Sequence, residues 1–72
     1  MTYHEVADAS AQAILATLQT GHAKYPHDPW QTRTDSEDVD QAIAHLMAFR
    51  ESNNNKTHVS IALTHLAFIL AR

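Results

Sequence analysis

The spacing of apolar positions divides the chain into three helical stretches and one irregular connector. In the first stretch Ala7, Ala11, Ile14 and Leu18 recur at intervals of four and three, with Leu15 beside them, which is the period of one helix face. Thr2 and Glu5 stand ahead of it at capping-box spacing. Gly21 lies where a helix of this length would close on a left-handed residue, so the pattern predicts α-helix over residues 3–20. In the second stretch Val39, Ala42, Ile43, Leu46 and Met47 make an apolar stripe behind another capping-box pair, Thr34 and Glu37, giving a start near residues 34–36. The run "ESNNNK" ends that helix, because Ser and Asn side chains compete with helical hydrogen bonding, and Asn54 or Asn55 is placed to cap a third helix reaching about residue 71. There Val59, Ala62, Leu63, Leu66 and Leu70 form one stripe, while Ile61, Phe68 and Ile69 fall on other faces. A helix apolar nearly all round is buried on more than one side. Two companion helices of so short a chain can hardly cover it. The pattern therefore predicts an all-α, three-helix small domain over residues 1–72, with helix 3 buried in a homo-oligomeric interface.

Length and composition narrow this further. A chain of 72 residues is one domain with a modest core, and such domains usually rely on disulfides, a metal or self-association. The absence of Cys removes disulfides and thiolate metal sites and fits a reducing, cytoplasmic setting. The longest apolar run, Ile61 to Ala71, is broken by Thr64 and His65 and is too short to span a bilayer. The opening residues lack the basic-then-apolar pattern of a secretory leader. A net charge of −3 argues against binding duplex nucleic acid, which needs a dense basic surface, yet leaves room for a local anion site. A single Gly excludes the glycine-rich phosphate loops, and neither a G-x-S-x-G elbow nor a Cys nucleophile is present.

Three constellations carry candidate chemistry. The first is the connector "GHAKYPHDPW", which sets Lys24, Tyr25 and Trp30 in a segment stiffened by Pro26 and Pro29. Tyr25 and Trp30 offer faces on which a base can stack, Lys24 and Arg33 suit phosphate, and His22 and His27 add donors. The competing reading is that both rings fold inward as the lid of a small core. The second is the set of six histidines. His58 and His65 are seven residues apart, two helical turns or about 10 Å, so they share a face but not one ion. His45 has Phe49 four residues on rather than a ligand. Surface or hydrogen-bonded imidazoles account for them without a metal. Alternatively, the half-polar stripe of His58, Ile61, His65, Phe68 and Arg72 faces a pocket. The third is acidic. Glu37 and Asp40, and likewise Glu5 and Asp8, are spaced i, i+3, as in carboxylate pairs that clamp Mg²⁺ against phosphates. Acids in a first helical turn also simply complement the helix dipole. Both pairs begin their helices, so antiparallel packing would hold them apart.

The segments "KYPHDPW", "DVDQAIAHLMAF" and "HVSIALTHLAFIL" together resemble the N-terminal domain of phage-type dATP/dGTP diphosphohydrolases, through Lys24, Tyr25, Trp30, Asp40, Ala42, His45, Leu46 and His58. The chain departs from that pattern at Pro26, where a Gly is expected, at Ile61, where a second His is expected, and at "ESNNNK", which replaces an Asp-rich turn. The resemblance implies that nucleotide recognition survives where the hydrolytic groups are lost. The leading expectation is a small nucleotide-binding protein of phage or mobile-element type. It would sequester a purine or signalling nucleotide between protomers, using Lys24, Tyr25, Trp30, Arg33, His45, His58 and His65. One alternative is a Mg²⁺-dependent dNTP pyrophosphohydrolase, with Glu37 and Asp40 on the metal and His45 or His58 acting on water. The other is an anti-defence inhibitor whose acidic helix starts and apolar helix 3 meet a host protein. Neither duplex nucleic acid nor membrane is an expected partner.

Overall fold

A computed structural model describes residues 1–52 and 54–72. These form three α-helices and no strand: α1, Tyr3–Lys24; α2, Asp35–Glu51; and α3, Lys56–Ala71. The all-α fold read from the spacing is correct. Both capping boxes form. Thr2 and Glu5 exchange side-chain-to-backbone hydrogen bonds at the start of α1, and Thr34 and Glu37 do so at the start of α2. Asn55 caps α3 through its side chain to the Thr57 N–H, 3.0 Å away, and Asn54 before it takes the left-handed conformation that the turn requires. Asn53, within the run read as the end of the second helix, lies outside the described residues.

α1 runs one turn further than its spacing suggested. Gly21 does not adopt a positive φ and stays helical. Termination falls instead at Tyr25, because the ring of Pro26 disfavours helical geometry in the residue before it. Tyr25 still closes the last turn, its N–H donating to the Gly21 carbonyl at 2.7 Å. The connector then folds into two turns, Asp28 N–H to Tyr25 C=O and Thr32 N–H to Pro29 C=O. Pro26 sits at the second position of the first turn, where its fixed φ is already suitable.

α3 is the central element, packing along α1 on one side and α2 on the other. Among the described residues α1 and α2 do not pack on each other. The faces turned inward match the expected stripes only in part: Ile14, Ala42, Val59, Ala62 and Leu63 turn inward as expected, whereas Leu66 and Leu70 of α3 are exposed. On α2 the inward positions are Asp38, Ala42, His45, Ala48 and Phe49, while Val39, Ile43, Leu46 and Met47 are exposed. On α1 the half-buried positions are Ser10, Ala13, Ile14, Thr17 and Gly21, with Leu15 and Leu18 exposed. Ala42 and Ala62 are the buried apolar residues, and Asp38 and Thr64 are buried beside them. α2 is therefore rotated by about one position from the register that hydrophobicity alone would choose.

Candidate functional site

That rotation is held by Asp38, whose side chain is 0% exposed. One carboxylate oxygen, Oδ1, accepts from His65 Nδ1 at 2.7 Å and from Arg33 Nε at 3.2 Å. The other, Oδ2, accepts from Arg72 Nη2. A carboxylate with no proton can only accept, so His65 carries its proton on Nδ1. Burial works to raise the Asp38 carboxyl, but the His65 and Arg72 hydrogen bonds and the charges of Arg33 and Arg72 outweigh it and hold the group below the ordinary aspartate value. Arg72 also donates from Nη1 to the Trp30 carbonyl at 2.8 Å and pairs with Asp35 at 3.2 Å, which ties the connector and the start of α2 to the end of α3.

Arg33 is the second hub. Its Nη1 donates to Asp28 at 2.7 Å, and its guanidinium carbon lies 4.9 Å from the Phe68 ring centre. Burial pulls its pKa down, while the bonds and charges of Asp28 and Asp38 raise it above the ordinary arginine value. The remaining amino group, Nη2, is buried with no hydrogen-bond acceptor. Trp30 stacks on Phe68, with ring centres 5.3 Å apart and planes 21° apart. The half-polar stripe of α3 thus meets the connector and α2. His65, Phe68 and Arg72 reach Asp38, Trp30 and Arg33 from successive turns.

An open groove of about 1720 Å³ lies between the C-terminal half of α1, the connector and α3. Lys24, Tyr25, Trp30, Arg33 and His65 line it, together with His22 and His27. Small α1 residues, among them Ala13, Ala16 and Thr17, form its floor on that side. The two connector rings have separated. Trp30 is half-buried against Phe68, whereas Tyr25 is 67% exposed. Lys24 makes no ion pair among the described residues. The groove wall thus carries two cations and three imidazoles against the carboxylate of Asp28, on a chain whose net charge is −3.

Two expected ligand residues, His45 and His58, do not line the groove. They meet across the α2–α3 seam, Nδ1 to Nδ1 at 3.2 Å, and His45 also stacks on His65 with ring centres 6.2 Å apart. Burial, followed by the nearby His58 and His65 imidazoles, lowers the His45 pKa. Helical spacing within α3 could not reveal this pairing, since the partners lie on different helices. Of the proposed Mg²⁺ pair, Glu37 uses Oε1 to accept from the Thr34 N–H and hydroxyl, and Asp40 is exposed. Among the described residues no group of three or more His, Asp or Glu side chains converges on one ion-sized point. The importance of Asp38 was missed, because in the sequence it is one of four acids in the run "DSEDVD" at a helix start, where acids are ordinary.

No family model matches this chain, and comparison with curated proteins and with solved structures returned no match.

Proposed function

We propose that the groove between α1, the connector and α3 binds a purine or signalling nucleotide, and that the protein acts by sequestering it. The observation that carries this reading is the exposed Tyr25 ring beside the Lys24 ammonium on one wall of an open groove, with Arg33 on the same lining. Tyr25 stacks the base, because an aromatic face held at a groove edge gains about 1–3 kcal/mol per stacked base. Lys24 holds phosphate as a point charge, and Arg33 adds positive charge on the same lining. Trp30 acts as the anchor that fixes the connector on Phe68.

The groove works in a self-associated protein. The accessible surface is 5560 Å² for 8.0 kDa. A folded monomer of that mass exposes about 4450 Å². The excess, about 1100 Å², is of the order that one partner buries in a standard interface, about 800 Å². Much of it is apolar. Val39, Ile43, Leu46 and Met47 run along the outer face of α2, and Leu66 and Leu70 are exposed on α3. The groove, at about 1720 Å³, is also larger than the roughly 300–1,000 Å³ of a pocket shaped to one small ligand.

The test is a thermal-shift screen of purine mono-, di- and triphosphates and dinucleotides, with and without Mg²⁺, on the unsubstituted protein and on Tyr25→Ala and Lys24→Ala. The expected result is stabilisation by at least one nucleotide, reduced about tenfold or more in apparent affinity in both variants. No stabilisation by any of them, or equal stabilisation in both variants, overturns the assignment.

A further inference from the structure

The pairing of His45 and His58 defines a site of its own. Their Nδ1 atoms stand 3.2 Å apart on opposite helices, with ring planes tilted by 32°. Two readings fit that separation: a shared proton in an N–H···N bond, or two lone pairs aimed at one ion. Zn²⁺ binds imidazole nitrogen at about 2.0–2.1 Å, so an ion equidistant from nitrogens this far apart subtends about 100–106°, close to the tetrahedral angle. The two rings come from the middle of α2 and the first turn of α3, elements that the Asp38–His65 bond also joins, so the fold brings the two rings face to face. Both rings are half-buried, which keeps a side of the pair open to solvent. Neither ring is committed to a carboxylate.

We propose that His45 and His58 together form a two-imidazole site for a borderline transition-metal ion, Zn²⁺ being the probe, bridging α2 and α3. The carboxylates that hard cations such as Mg²⁺ require are not paired with these rings, whereas neutral imidazole suits Zn²⁺, Ni²⁺ and Cu²⁺. Water completes the coordination sphere, because no third metal-capable side chain joins the pair among the described residues. The site is separate from the groove and does not depend on the nucleotide reading.

Calorimetric titration of the full chain with Zn²⁺ tests this, alongside His45→Asn, His58→Asn and, as a control for the other histidines, His27→Asn. The expected result is one Zn²⁺ per chain, bound at least tenfold more weakly by each of the first two variants and unchanged by the third. Circular dichroism confirms that the variants fold. If either does not, ¹⁵N imidazole shifts of the unsubstituted protein provide the readout, with Zn²⁺ moving Nδ1 of both His45 and His58. Equal affinity in all four proteins, or Nδ1 shifts confined to other histidines, overturns the proposal.

Discussion

Asp38 is the residue on which the interior depends. A buried carboxylate is tolerable only with its lone pairs satisfied and its charge compensated, and two guanidinium groups and an imidazole do both. Replacing the carboxylate by an amide leaves the charges of Arg33 and Arg72 around a neutral group, one of whose positions now donates rather than accepts. We therefore expect Asp38→Asn to cost about 3–5 kcal/mol, read as a fall in the urea midpoint. A loss below about 1 kcal/mol would mean that the network is peripheral. The sign of the pH dependence follows from the depressed carboxyl pKa. The stabilisation is present above the unfolded-state aspartate value, about 3.9, and is lost as pH falls through the lower folded-state value. In an NMR titration of the carboxyl carbons, Asp38 should titrate below that ordinary value. Titration at or above it would contradict the ion-pair account.

At the level of elements, α2 shows how far a hydrophobic pattern can be trusted. Its ends were legible because caps are local: Thr34 and Glu37 need only each other and the intervening turn. The same holds for Thr2 with Glu5 and for Asn55. Which face turns inward was not legible, because periodicity finds an apolar stripe but not what covers it. Val39, Ala42, Ile43, Leu46 and Met47 form such a stripe, yet only Ala42 of it is buried, and Asp38 and His45 meet α3 beside it. Two of the partners of Asp38 lie 27 and 34 residues away, a separation no local rule reaches. The helix end at Tyr25 was missed for a simpler reason: the restriction before Pro26 outweighed the capping preference of Gly21. If the outer stripe of α2 serves association, Ile43→Glu together with Met47→Lys should lower the molecular mass found by sedimentation while leaving helix content unchanged. Unchanged mass would move the interface elsewhere on the molecule.

At the level of the whole molecule, a polar interior and an apolar exterior belong together. Two buried alanines make a poor core for 72 residues, which is why we propose that copies of the chain associate. No helix among the described residues is long and apolar enough to cross a membrane, so the exposed apolar surface does not form a helical span. Lys24, Tyr25 and Arg33 line a groove that is open in the single chain. That the connector residues Lys24, Tyr25 and Trp30 share one surface followed from their nearness in sequence, and they line one groove. The division of labour between the rings, with Trp30 holding and Tyr25 presented, depended on Phe68, which lies 38 positions further along. Native mass spectrometry of the protein titrated with purine nucleotides and dinucleotides tests the central claim most directly, since it counts protomers and ligands in one spectrum. The account predicts an oligomer that gains an integral number of nucleotides, and loses that ability when Tyr25 and Lys24 are both replaced by Ala. An assembly that takes up no nucleotide across the series, or takes it up equally well after that double replacement, would contradict it.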